Sequence, residues 1–355
     1  MSACSRFWPF AFLPFAPAVP VAAMVTVLAP APALAGVFLF AENQGEPLII
    51  THPANYDGTG GTVEVSVCID QNSESINEIE IPVQNAIFRW NERQVASPNL
   101  FFGSDNNIPS GKLDFESVML HEMGHCVGLA HPNAASESGL GEPERNSTKA
   151  LVGPDGSLNT DAGADGIIGS ADDLRGDDIN LHWFESGVNN PFNIPSTIDE
   201  STMSVALGDL PSGDNFPANA DRAVGADLGF TASEAVMQQG TPLDEAQRML
   251  GADDFVTLRL GMSGLDRSEG TGDDYEPVLV FEGTAPADSD SCDIVVKVEG
   301  GGLGNCQVSG TFRAPNHLAI TNGTIIIGST ANFDWFFNQD VASEIIFSDG
   351  FESSQ

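Results

Sequence analysis

His121-Glu122-Met123-Gly124-His125-Cys126-Val127-Gly128-Leu129-Ala130-His131 reads H-E-x-x-H-x-x-G-x-x-H. His121 and His125 are one helical turn apart, so on a helix they share a face and two imidazoles reach one ion. Glu122 points beside that ion rather than at it and is placed to handle a proton. Gly128 tolerates the left-handed backbone that ends a helix. The chain then turns and returns His131 as a third nitrogen. Three protein ligands leave an open coordination position, the mark of a catalytic rather than a structural zinc site. Three of the six histidines fall in this window. A chance match has a likelihood on the order of 1 in 10⁵ for a chain of this length.

The flanks predict the helix. Asp114 is a good N-cap, with Leu113 before it and Val118 after it as a hydrophobic staple. Leu120, Met123 and Val127 recur at helical spacing and face a core. Upstream, Pro47–Thr51 and Thr62–Val67 read as strands, the second with clean alternation. Pro82 suits a first helical position. Val83, Ala86, Ile87 and Trp90 then follow the spacing of one buried helix face.

The long histidine motif resembles that of the metzincin metallopeptidases, and the chain looks like a matrixin-like, secreted, bacterial-type member. The Trp90-Asn91 helix end adds to the likeness. The family also carries a downstream methionine turn beneath the zinc. Met237, in Glu234-Ala235-Val236-Met237-Gln238, is the preferred candidate, because Arg248, Leu250 and Asp253-Asp254 follow it in matrixin-like order. Met203 is the second candidate. The chain has only Tyr56 and Tyr275, so the tyrosine that follows the turn in astacin-like and serralysin-like relatives is missing. The resemblance implies an α/β (α+β) catalytic domain over 36–262, with a mixed twisted sheet and a zinc-site helix, interrupted by an acidic insertion at about 133–232.

Within that insertion, Asp161-Ala162-Gly163-Ala164-Asp165-Gly166-Ile167-Ile168-Gly169-Ser170-Ala171-Asp172 runs in EF-hand register. Asp161, Asp165, Ile167 through its carbonyl, and Asp172 are the candidate Ca²⁺ ligands. Gly163 offers no side chain at the third position, and a solvated acidic loop is the plain alternative. His182 in Leu181-His182-Trp183-Phe184 reads as packed beside aromatics.

Residues 1–35 read as a secretory signal peptide: Arg6, an apolar run, and Ala33-Leu34-Ala35 before the expected cleavage site. Cleavage there leaves no length for an inhibitory pro-segment before the first strand. Cys68, Cys126, Cys292 and Cys306 remain, an even number that suits an oxidising compartment. A hairpin bridge Cys292–Cys306 and a sheet-to-helix bridge Cys68–Cys126 are expected, with free buried thiols as the alternative. The net charge is −37 with three lysines. Such a field repels nucleic acid and anionic membranes and suits divalent cations. No run of the mature chain has the length of a membrane span.

From about 263 to 342, short apolar β-like runs separated by Gly, Asn and Asp predict a small separate β-sandwich-like module. Residues 343–355 read as an exposed tail. The combined expectation is a secreted zinc endopeptidase acting on a protein or peptide, with Glu122 as general base; the sequence leaves the oligomeric state open, with a monomer as the default. A catalytically idle metzincin-fold adhesin or binding protein is the competing reading.

Overall fold

The computed structural model describes residues 38–40, 49–96, 98–131, 183–185, 215–217, 231–238, 240–268, 270–286 and 292–342. Residues 1–35, expected to be a signal peptide, the candidate calcium loop with Asp161, Asp165, Ile167 and Asp172, His182, Met203 and the tail lie outside the described residues.

The elements run β1 (Ile50–His52), β2 (Gly61–Asp70), α1 (Ile76–Glu92), β3 (Phe101–Phe102), β4 (Leu113–Asp114) and α2 (Phe115–Cys126). They continue with β5 (Trp183–Glu185), β6 (Asn215–Pro217), β7 (Glu245–Ala246), α3 (Ala252–Met262), β8 (Tyr275–Ala285), β9 (Ile294–Val298), β10 (Gly304–Ala314), β11 (His317–Ile327) and β12 (Trp335–Phe336). The fold is mixed α/β with one main six-stranded sheet. Strands β8, β2, β9 and β11 follow one another in parallel, and β1 joins the same side of β11 as β9. Strand β10 runs antiparallel on the other side of β11 and forms that edge of the sheet. Three two-stranded pairs, β12 with β4, β3 with β7, and β5 with β6, complete the pairing.

Central strands covered on both faces read as continuous apolar runs. Strand β9, Ile294-Val295-Val296-Lys297-Val298, is of that kind and is buried at all but Lys297. Helix α1 lies against β2 and β8, α2 against β10 and β11, and the two helices pack on each other. Val83, Ala86, Ile87 and Trp90 form the buried face of α1, as their spacing predicts. Each such fully buried large side chain contributes about 1.5–3 kcal/mol. The indole of Trp90 also donates to the Leu120 carbonyl at 2.9 Å, fixing α1 one residue short of His121 on α2.

Three expectations need correction. The strands assigned to a separate C-terminal module stand in the main sheet, interleaved with β1 and β2. Their apolar faces find partners in the amino-terminal part of the chain rather than in one another. Second, α1 begins at Ile76 and carries Pro82 in its interior. A helical proline leaves the carbonyl four residues earlier without a donor. Here that carbonyl, on Glu78, accepts from Gln339 Nε2 at 2.9 Å. Third, the disulfides are Cys68–Cys292 and Cys126–Cys306, not Cys292–Cys306 and Cys68–Cys126. Strands β9 and β10 are consecutive in the chain but do not pair, because β11 lies between them. Cys292 therefore meets β2, next to β9, while Cys306 is carried out to the edge beside α2.

Candidate metal centre

Helix α2 is fastened at both ends. The Asp114 carboxylate accepts from Ser117 N–H at 3.1 Å, the N-cap its position predicts. Arg248 grips the same carboxylate with two donors, Nε to Oδ2 at 2.8 Å and NH2 to Oδ1 at 2.7 Å. A forked guanidinium fixes orientation as well as distance. At the other end, Leu129 N–H donates to the Gly124 carbonyl at 3.0 Å and Gly128 N–H to His125 at 2.9 Å. Gly128 has φ +114°, and a Cβ there would lie 2.4 Å from the Thr51 carbonyl oxygen. Both the backbone angle and the contact with β1 require glycine. The turn it permits carries His131 back over the helix.

The three histidines converge. His121 Nε2 lies 2.8 Å from His131 Nε2 and 3.1 Å from His125 Nε2, and the last pair is 3.0 Å apart. His121 Nδ1 is 2.6 Å from the Val236 carbonyl and His125 Nδ1 is 2.8 Å from that of Leu129. A carbonyl only accepts, so both Nδ1 atoms carry the ring proton and both Nε2 atoms present lone pairs. Lone pairs facing one another are repulsive, and a shared cation resolves the conflict. Nitrogens spaced at 2.8–3.1 Å fit a single ion at metal–nitrogen distances of about 2.0–2.1 Å. Burial holds His121 in its neutral form and pushes His125 down to about 3, with His121 adding to the effect. Neutral imidazole is the form that binds metal. The group His121, His125 and His131 can therefore hold a metal ion.

The Met237 segment forms the floor. Met237 is buried, and its sulfur is 2.3 Å from the point that a Cβ on Gly124 would occupy. The preceding residue, Val236, supplies the carbonyl that orients His121. The segment is held from below by Asp254, whose carboxylate accepts from Val236 N–H at 2.8 Å, Met237 N–H at 3.0 Å and Gly251 N–H at 2.8 Å. Burial pushes Asp254 up to about 6, the three N–H donors opposing it.

Glu122 is buried at 5% exposure between α2 and the edge strand β10. Gly304 of β10 passes so close that a Cβ there would be 2.5 Å from Glu122 Oε1. The backbone N–H of Cys306 faces the carboxylate, while burial dominates and raises Glu122 to about 8. Its other oxygen, Oε2, is buried and has no hydrogen-bond partner among the described residues. A carboxyl with a raised pKa and one unpartnered oxygen, on the same helix turn as two metal-ready imidazoles, is equipped to exchange protons.

Of the residues singled out in the sequence, the structure brings together His121, His125, His131, Glu122 and Met237. It leaves Met203 and the calcium loop undescribed. Sequence reasoning missed Asp254 as the anchor of the Met237 turn, Arg248 as the clamp on Asp114, and Gly304 and Cys306 as the cover on Glu122. Comparison with family models, curated proteins and solved structures gives no match. Among the described residues no helix is long and apolar enough to cross a membrane.

Proposed function

We propose that the chain is a secreted zinc-dependent endopeptidase of the matrixin-like metzincin type. The observation that carries this reading is the convergence of three Nε2 atoms within 3.1 Å of one another, beside a buried carboxyl whose Oε2 has no hydrogen-bond partner among the described residues. Three imidazoles with an open position suit a catalytic zinc ion. Such an ion lowers the pKa of water to about 7 and polarises a carbonyl. His121, His125 and His131 hold it, with the first two oriented by the Val236 and Leu129 carbonyls. Second-layer acceptors of this kind are typically worth about 10–100-fold in metal affinity.

Glu122 receives a proton at Oε2 from the attacking water and delivers it to the departing amine nitrogen. Its buried place on the ligand helix, with Oε2 open among the described residues, suits both halves of that task, and a bound cation would favour the carboxylate form that takes the first proton. The outer edge of β10 pairs with no strand among the described residues. An extended peptide can lie along such an edge through main-chain hydrogen bonds, which favours a peptide substrate. The two disulfides suit an oxidising, extracellular setting. A calcium requirement rests on Asp161, Asp165, Ile167 and Asp172 alone.

The test is to incubate the purified secreted form with a diverse peptide library, with and without a chelator, and to assay bound metal. One zinc per chain and chelator-sensitive cuts are expected. Bound zinc with no cuts under any zinc or calcium condition would overturn the peptidase reading in favour of an idle binding protein.

A further inference from the structure

Two glycines mark where the sheet presses on the C-terminal half of α2. A Cβ on Gly304 of β10 would lie 2.5 Å from Glu122 Oε1 and 3.0 Å from Val118 Cγ1. A Cβ on Gly323 of β11 would lie 3.1 Å from Cys126 Sγ. Beside them, the Cys126–Cys306 disulfide joins helix to strand, with the two Cα atoms 5.8 Å apart. Cys126 directly follows the ligand His125. Cys306 is the residue whose own N–H faces Glu122.

The hydrogen-bond phase of β10 explains why that N–H is available. Gly328 N–H donates to the Leu303 carbonyl at 3.0 Å. In an antiparallel pair, bonded and non-bonded positions alternate. Leu303 and Asn305 therefore turn their backbone groups toward β11, and Gly304 and Cys306 turn theirs to the free edge. An outward amide of an edge strand ordinarily meets water. The Cys306 amide meets the carboxyl of Glu122 instead. An edge strand also has one hydrogen-bonded neighbour to hold it, and the disulfide gives β10 a second attachment, on α2 itself.

We propose that the Cys126–Cys306 disulfide is a positioning device for Glu122. It holds β10 so that Gly304 packs on Glu122 at Oε1 with the Cys306 N–H turned toward the carboxyl, and leaves Oε2 for proton transfer. Turnover then depends on the chain being oxidised. The inference rests on the peptidase reading for its catalytic consequence, but not for the placement of Cys306. Reduction by a dithiol breaks one S–S bond and delivers two electrons and two protons. Two cysteine thiols form, and the reductant leaves as a cyclic disulfide. The Cys68–Cys292 bridge joins β2 to the residues just before β9 and does not touch Glu122, so it serves as the control.

The experiment compares the full secreted chain with Cys126→Ser/Cys306→Ser and with Cys68→Ser/Cys292→Ser. Loss of the first bridge is expected to lower kcat about 10–100-fold, as for other misplaced catalytic groups, with KM within about twofold. Bound zinc should stay at one per chain, and the control pair should keep its kcat. Amide hydrogen exchange over residues 304–308 should rise in the first pair only. Exchange at Cys306 should also rise in Glu122→Ala with both bridges intact. If the serine pair does not fold, dithiothreitol treatment of the folded Cys68→Ser/Cys292→Ser chain, which keeps only the Cys126–Cys306 bridge, gives the same comparison, with reduction followed by mass and the dithiol removed before bound zinc and kcat are measured. Unchanged kcat, a loss confined to KM, or an equal fall in the control pair would overturn the proposal. If no form cleaves peptides, the peptidase reading fails by itself. Amide exchange then decides the positioning, and unchanged exchange at Cys306 overturns it.

Discussion

The sulfur of Met237 occupies the space that a side chain on Gly124 would need, 2.3 Å from the missing Cβ, and Trp90 Cζ2 closes the same space at 2.8 Å. Gly124 immediately precedes His125, so the helix carrying the histidines packs backbone-first on its floor. The glycine of H-E-x-G-H is thus a packing requirement of this chain, set by Met237 and Trp90 together.

Gly124→Ala tests that relationship. In an exposed helix the change gains up to about 1 kcal/mol. Here the methyl must displace Met237, and overpacking of this kind costs about 1–3 kcal/mol. A lower urea midpoint and weaker zinc retention in a chelator competition are expected. A variant as stable as the wild type would show that Met237 does not press on the helix.

Asp254→Asn addresses the anchor of the floor. The carboxylate accepts three N–H bonds, and an amide has only one acceptor oxygen, so at least one N–H faces an NH₂ group. Leaving a buried donor unpaired costs about 1–3 kcal/mol. Because Val236 also orients His121, zinc affinity should fall about 10–100-fold, read by competition with a chromogenic chelator. Loss of stability with unchanged affinity would separate the turn from the site.

A second buried histidine cluster, away from the metal centre, sets a pH dependence. His52 Nε2 is 2.9 Å from His317 Nδ1, and His52 Nδ1 is 3.1 Å from the Tyr275 hydroxyl. Tyr56 packs on His52 with ring centroids 4.3 Å apart. Burial, reinforced by His317, pushes His52 down to about 3, against the opposing charge of Asp273. Burial and then Arg267 push His317 down to about 4, again opposed by Asp273. Both rings are therefore held neutral, with folded values below the unfolded 6.5. The stability they contribute is complete above pH 6.5 and is lost as pH falls from there toward 3. At about 1.4 kcal/mol per unit, the loss is of the order of 3–5 kcal/mol for each ring taken singly. Urea unfolding of the chelated protein at pH 7 and pH 4 should show a smaller drop for His52→Gln than for the wild type. Equal drops would place the acid sensitivity elsewhere.

What was legible in the sequence was local. Asp114 and Gly128 bracket the metal helix because capping and left-handed turns depend on the residues at those positions. The Val83–Trp90 spacing marks a buried face for the same reason. What was not legible depends on strands or side chains distant in sequence. The disulfide pattern follows from β11 lying between β9 and β10, and no spacing between cysteines reveals that order. Pro82 argues locally for a helix start, and only Gln339 makes its interior position tolerable. Asp253-Asp254 read as an acidic helix start, and α3 does begin at Ala252. The larger task of Asp254, holding the Met237 turn, needed the turn and the helix in one place. His52 and His317 gave no motif, and their one signal is a histidine at the edge of an apolar strand.

The central claim, a zinc peptidase in which Glu122 moves the proton, is tested most directly by the cleavage rate of zinc-loaded Glu122→Ala on a peptide that the wild type cuts. With one zinc bound per chain in both proteins, the account predicts that the variant loses cleavage by at least about 10²–10⁴-fold, the usual weight of a general base. Undiminished cleavage by the zinc-loaded variant would contradict it.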